Sequence, residues 1–241
     1  MEDWLSRTEL CLGPENLKKI RSANVLVAGL GGVGAWAAEM LCRAGVGRMT
    51  IIDGDIVHPS NRNRQLHALV STEGWPKAIL MEERLKDINP GISLTAINEF
   101  IKDERMIEIL EEPFDYVVDA IDTLSPKVFL IYHSLLKKYP VVSSMGAGGK
   151  TDPLLISVSD ISLTSWCPLA RLIRKRLHRL GVREGFKAVW SPEEVDKSRI
   201  IEAHGERNKA SVTGTVPWMP AAFGIICASV VINDLTGMGH K

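Results

Sequence analysis

Apolar residues recur along this chain with two different periods, and the alternation between them predicts most of the fold. Short apolar runs at 24–29, 49–53, 93–98, 116–122 and 141–144 read as buried strands, bounded by glycine, proline or acidic residues. Between them, 34–44, 75–88, 104–110 and 126–138 read as helices; in the first, Ala37, Leu41 and Ala44 fall three or four apart. Gly45 and Gly47 stop that helix, and Asn89-Pro90-Gly91 stops the next. Parallel strands need a crossover long enough to hold a helix, so the alternation predicts an α/β fold. Its form is a doubly wound, Rossmann-like parallel sheet with additional strands and helices toward the C-terminus.

The pattern changes after Gly146-Ala147-Gly148-Gly149. A further strand is expected at 154–160, a basic amphipathic helix at 168–180 and a buried helix near 217–235. Residues 191–211 are polar with little period and are expected to form a mobile loop. At the other end, 5–22 carries Leu10, Leu17 and Ile20 at helical spacing, an amphipathic arm leading into the first strand. The expected organisation is one domain over 1–241: an arm (1–22), a core of strands and crossover helices (23–150) and a C-terminal extension (151–241).

Composition narrows the function. With 241 residues, 45% hydrophobic and 24% charged, the chain can bury one substantial core. Its 29 basic and 29 acidic residues cancel, so any site for a polyanion must be a local patch. The four cysteines, Cys11, Cys42, Cys167 and Cys227, form no C-x-x-C pair, so neither zinc nor a disulfide framework is expected and a reducing cytoplasm fits. Met1-Glu2-Asp3-Trp4 does not open a secretory signal. The apolar stretch near 217–235 contains Pro217 and Pro220 and ends in Asn233-Asp234, which favours a core helix over a membrane span.

The candidate chemistry gathers at the carboxyl ends of the predicted strands, where open α/β sheets bind ligands. Gly29, Gly31 and Gly34, with Gly32 between them, give a tight turn, close approach of backbone to phosphate, and a helix N-terminus facing the anion. Asp53 ends the second strand, where it can accept hydrogen bonds from ribose hydroxyls; Asp55 is a second candidate or an ordinary turn acid. NAD enzymes place an acid similarly, so Asp53 does not separate the two cofactors. Asn61-Arg62-Asn63-Arg64-Gln65 does, because a guanidinium beside the pocket suits a triphosphate that is to be split. Arg64 and Lys77 would neutralise charge building on the α-phosphate and the leaving pyrophosphate, although a surface loop can carry Arg62 and Arg64 as solvated charges. Of Asp119 and Asp122 at the end of strand four, Asp122 is the favoured holder of magnesium; capping of the next helix would also explain an acid there. Arg171, Arg174, Lys175, Arg176, Arg179 and Arg183 make the dense basic run, opposite Leu169, Leu172, Ile173, Leu177 and Leu180. Such a face could grip nucleic-acid phosphates, or it is a solvated helix surface.

These residues carry a resemblance. Gly29 to Gly34, Asp53-Gly54-Asp55, Asn61 to Gln65, Pro76-Lys77 and Asp119-Ala120-Ile121-Asp122 resemble the adenylating enzymes related to ubiquitin activators, molybdopterin- and thiamine-pathway members included. Within that group the chain is similar to the tRNA threonylcarbamoyladenosine dehydratases, through Asn63 to Leu69, Gly146 to Gly149, Asp152-Pro153 and Pro168-Leu169-Ala170. The resemblance implies that Gly31 and Gly34 line the phosphates of ATP, that Asp53 takes the ribose, that Asn61, Arg64 and Lys77 surround the triphosphate, and that Asp122 serves Mg2+. It implies tRNA as substrate, and a homodimer in which Arg7 reaches the neighbouring subunit's site; it leaves room for a sulfurtransferase partner. The chain lacks the paired C-x-x-C zinc motifs usual in activators of sulfur-carrier proteins, and has Lys209 where some dehydratases have a cysteine. Cys167 stands where relatives tend to have an acid and is not expected to be a nucleophile. Three other readings stay open: a sulfur-carrier activator of the same fold, an NAD-dependent oxidoreductase, and a binding module without turnover.

Overall fold

Strands β1 (Asn24–Ala28), β2 (Arg48–Ile52), β3 (Ser93–Ile97), β4 (Tyr116–Asp119), β5 (Val141–Ser144), β6 (Ser157–Asp160) and β7 (Lys187–Trp190) form one sheet in the order β3-β2-β1-β4-β5-β7-β6. Every neighbouring pair is parallel except β6 with β7, which is antiparallel. The structure, a computed structural model, describes residues 3–202 and 211–238.

Successive side chains of a strand point to opposite faces, and both faces are covered. Val25 and Val27 of β1 enter one core layer, Leu26 and Ala28 the other. The first layer packs under α2 (Pro14–Ser22), α3 (Gly34–Arg43), α4 (Lys77–Ile88) and α8 (Trp218–Thr236), through Ile20, Leu41, Met81 and Phe223. The second packs under α5 (Asp103–Ile109), α6 (Leu124–Leu136) and α7 (Pro168–Arg179), through Met106, Leu130 and Ile173. Burial on both faces explains why these strands read as continuous apolar runs rather than alternating ones.

The last helix is long and apolar enough to cross a membrane by length and composition. In this fold its apolar side packs on α3, so tightly that a Cβ at Gly224 would lie 2.3 Å from the Val33 carbonyl oxygen. It is a core helix, as its prolines and polar end suggested.

Several expectations need correction. The N-terminal arm is two helices, α1 (Ser6–Leu12) and α2, broken at Gly13, whose φ of +84° no continuing helix allows. Strand four stops at Asp119, leaving 120–123 as a loop. Residues 153–155 turn as a short 3-10 helix, so the following strand, β6, starts only at Ser157. Strand β7 was not foreseen, and Ser191, expected in a mobile loop, is fully buried. Further along that stretch, β8 (Ile200–Glu202) pairs antiparallel with β9 (Ser211–Thr213). Residues 203–210, with Lys209, lie outside the described residues.

Candidate active site

The glycine loop leaves the carboxyl end of β1 and starts α3. Gly29 has φ +87°, and a Cβ there would sit 2.7 Å from the Ala120 carbonyl oxygen. At Gly34 a Cβ would fall 1.7 Å from the Gly29 carbonyl oxygen, so loop and helix touch backbone to backbone. Gly31 differs: the nearest atom to its Cβ position is Gln65 Nε2 at 3.9 Å, leaving that face open to a phosphate. The N-cap residue of α3, Val33, provides no side-chain cap, and the positive end of the helix dipole faces the same opening.

Asp53, just beyond β2, binds this loop to the next turn. Its Oδ2 accepts from the Leu30 N–H at 2.6 Å and its Oδ1 from the Asp55 N–H at 2.8 Å. Burial raises the Asp53 carboxyl above its ordinary value, against the charge of Lys77 and these two N–H groups. Lys77, the first residue of α4 and 4% exposed, donates to Asp55 Oδ2 at 2.6 Å. Burial works to raise Asp55 too, but the hydrogen bond and charge of Lys77 outweigh it and hold the carboxyl low. Asp55 is therefore more than a turn acid: it fixes the ammonium beside the loop.

Residues 61–65 close the pocket from the side. Asn61 is buried; its Oδ1 accepts from the His58 N–H and its carbonyl from the N–H groups of Arg64 and Gln65. This turn carries Arg64 and Gln65 against the glycine loop, where a Cβ at Gly32 would meet Arg64 Cγ at 3.4 Å. Arg64 Nη1 donates to the Ser60 carbonyl and to Asn63 Oδ1, both at 2.9 Å, while Arg62 is exposed. Gln65 is buried beside Gly31, and no protein donor meets its Oε1.

The sequence placed His67 only within the Asn63–Leu69 stretch of resemblance, with no role of its own. It is buried, neither ring nitrogen has a protein partner, and burial, reinforced by the charges of Lys77 and Arg84, pushes its pKa down to about 4. It is neutral at pH 7. Between an unfolded value of 6.5 and a folded value of about 4 the unfolded chain binds the extra proton, so stability falls as pH falls through this window. Acidifying from pH 7 to pH 5 should cost about 2 kcal/mol through His67 alone. Urea unfolding of the wild type and of His67→Gln at the two pH values measures it; an equal pH dependence in both proteins would refute the assignment.

The loop after β4 completes the floor. Asp119, the other candidate for magnesium, is fully buried and paired with Lys127 Nζ at 2.8 Å and Ser143 Oγ at 2.6 Å, so it cannot reach a ligand. Asp122 is exposed beyond the strand end. It is not the helix cap: Thr123 holds that position in α6, without a side-chain cap bond. Across the opening, 213–215 connects two rims: Asn63 Nδ2 donates to the Thr215 carbonyl at 2.9 Å, and the Gly149 N–H to the Gly214 carbonyl at 2.7 Å. Arg199 Nη1 adds a bond to the Gly149 carbonyl.

The basic run lies on α7 and just beyond it. Ala170, Ile173 and Leu177 form its buried face, whereas Leu172 and Leu180, expected there, are about half exposed. Arg174 is spent on the Thr164 carbonyl and hydroxyl, and Arg176 donates to Ser125 Oγ at 2.8 Å in the first turn of α6, close in sequence to Asp122. Arg171, Lys175, Arg179 and Arg183 are exposed. Arg7 is exposed on α1, outside the cluster that the single chain assembles. Cys42 and Cys227 are buried thiols pushed up to about 12 by burial, unsuited to nucleophilic work. Two surface hollows, one of about 310 Å³ lined by Glu9, Pro14, Leu17, Lys18 and Arg21, lie beside the N-terminal arm and share no residue with this cluster; the site is identified by its chemistry rather than its depth.

Known proteins resemble this chain over nearly its whole length. The ThiF family matches residues 5–241. The chain is similar to the tRNA threonylcarbamoyladenosine dehydratase of Bacillus subtilis (strain 168), with 38% identity over 237 residues that cover 95% of this chain and 93% of that protein. A crystal structure of E. coli tRNA N6-threonylcarbamoyladenosine dehydratase, TcdA, in complex with ATP matches with a TM-score of 0.89 and 33% identity, covering 99% of this chain and 97% of that one. The molybdopterin-synthase adenylyltransferase of Escherichia coli (strain K12) is 37% identical, but over 131 residues, 54% of this chain and 51% of that protein. The likeness to the dehydratases thus includes the C-terminal extension with its basic helix. The chain belongs to the ThiF family and, within it, to the tRNA threonylcarbamoyladenosine dehydratases.

Proposed function

We propose that the protein uses ATP to adenylate the carboxylate of threonylcarbamoyladenosine beside the tRNA anticodon and cyclises it to the oxazolone form. The observation that carries this is the single cluster in which an open Gly31 face, Asp53, Arg64, Gln65 and the buried Lys77 meet at the carboxyl ends of β1 and β2. Two cations beside such a loop suit a triphosphate that is to be split better than the pyrophosphate of NAD, which stays intact. In the first step a substrate carboxylate oxygen attacks the α-phosphorus and pyrophosphate leaves. Arg64 and Lys77 stabilise the charge that develops, at its most effective where water is excluded. In the second, the carbamoyl oxygen of the same side chain attacks the acyl carbon, AMP leaves, and the carbamoyl nitrogen gives up its proton. An intramolecular nucleophile has a high effective concentration, so no protein thiol is needed.

The donor set fits magnesium that arrives with ATP rather than a standing metal cage. Among the described residues there is no group of three His, Cys, Asp or Glu placed to hold an ion, but magnesium needs only one or two carboxylates with phosphates and water. Asp122 would hold it, and the ion would supply charge neutralisation at the β- and γ-phosphates. The exposure of Arg7 suits a homodimer in which it serves the other copy's site, and four free cysteines suit a cytoplasmic protein.

The test is to incubate the protein with ATP, magnesium and tRNA carrying threonylcarbamoyladenosine, and to follow loss of water from that nucleoside by mass spectrometry. Turnover only with a small protein ending in Gly-Gly would establish the sulfur-carrier reading instead. The exposed cations on and just beyond α7, a helix tied to the start of α6 by the Arg176–Ser125 bond, suit the anticodon stem. Replacing Arg171, Arg179 and Arg183 together by Gln should flatten the dependence of log affinity for tRNA on log salt by roughly two to three, near one per lost phosphate contact. An unchanged slope would take α7 out of the tRNA site.

A further inference from the structure

We propose that Lys127 and Asp119 are positioning residues for Asp122: their buried ion pair holds the Ile121 backbone at both its N–H and its carbonyl and so fixes where Asp122 leaves the end of β4. This rests on the reading of Asp122 as the carboxylate that serves magnesium. Asp119 Oδ1 accepts from the Ile121 N–H at 3.2 Å, and Lys127 Nζ donates to the Ile121 carbonyl at 3.0 Å. Both side chains are 0% exposed, and Ser143 of β5 holds the other carboxylate oxygen. Three elements, β4, α6 and β5, thus converge on the backbone of one residue. The preceding residue is fixed as firmly: the Ala120 N–H donates to the Ala28 carbonyl at 2.8 Å, and Ala120 lies under the Cβ positions of Gly29 and Gly34.

Stability does not account for the pair. Desolvating two charges costs about as much as their attraction returns, and an apolar replacement is often as stable. What the pair adds is direction: an ammonium and a carboxylate, each with bonds to spare, hold one N–H and one carbonyl that an apolar pair would leave unmet. Asp122 is the next residue, so its carboxylate inherits that placement.

The test uses the double variant Asp119→Asn with Lys127→Met, which removes both charges together. Calorimetric affinity for a non-hydrolysable ATP analogue, with and without magnesium, is measured alongside Tm. The double variant should bind the analogue without magnesium within about twofold of wild type, yet lose about tenfold of the strengthening that magnesium confers. Asp122→Ala should lose the same strengthening, and adding it to the double variant should cost nothing more. If the double variant keeps the full magnesium effect while Asp122→Ala loses it, the positioning role is overturned and the Asp122 reading stands. If Asp122→Ala keeps it, the Asp122 reading falls, and this inference with it. Should the double variant fail to fold, Ser143→Ala loosens Asp119 without stranding a charge; a roughly threefold loss at unchanged Tm supports the proposal, and no loss overturns it.

Discussion

Alanine at position 34 is expected to abolish ATP binding, raising Kd by more than about a hundredfold, because its Cβ would have to occupy a point 1.7 Å from the Gly29 carbonyl oxygen. The obstruction is backbone, not a side chain that can swing aside, and Ala120 Cβ blocks the other direction at 3.1 Å. The start of α3 must therefore shift, dragging the phosphate-facing amides with it; overpacking of this kind costs about 1–3 kcal/mol in stability as well. Gly31→Ala separates the two effects. Its Cβ meets nothing closer than 3.9 Å, so the variant should keep the wild-type Tm while still weakening ATP about tenfold or more, since only a bound phosphate competes for that space. Calorimetry of both variants decides it. Wild-type affinity in Gly31→Ala would mean that the phosphates lie elsewhere.

The second large effect is at Arg64. Removing one preorganised cation from a site of developing charge costs about a hundred- to a thousandfold in rate, or about 3–4 kcal/mol of transition-state stabilisation. Arg64→Ala should show that loss in dehydration of the modified tRNA, mostly in kcat, because the group is held ready by Ser60 and Asn63 before substrate arrives. Arg62 is the control: it belongs to the same polar run but is exposed, so Arg62→Ala should stay within about twofold. Equal behaviour of the two variants would show that this loop works as a general basic surface and not through one aimed guanidinium.

Much of this site could be read from the residues alone, and the reasons are local. A glycine that must adopt positive φ or admit a neighbouring backbone cannot be replaced quietly, so Gly29 and Gly34 announce themselves. Strands covered on both faces write themselves as apolar runs, which located β1, β2, β4 and β5 within a few residues. What stayed hidden was non-local. Strand β7 is Lys187-Ala188-Val189-Trp190, too short to show a period, and only its insertion between β5 and β6 defines it. Sequence left Asp119 and Asp122 as rival acids at one strand end; only the sheet register shows that the first is sealed in and the second emerges. Lys127 gave a faint signal, a lysine on the apolar face of a helix beside Val128 and Ile131, but its partner sits on a different element. His67 stood inside the Asn63–Leu69 stretch of resemblance, but an orphaned imidazole looks in sequence like any surface histidine, so its burial went unread.

The crossing made by 213–215 couples regions that would otherwise behave separately. One rim comes from the polar turn after β2, the other from the glycine-rich turn after β5, and a single stretch of backbone is laced to both. Neither turn can swing outward without straining that lacing. The frame of the opening is therefore drawn from both the core and the C-terminal extension: backbone of the extension ties together two turns that belong to residues 23–150.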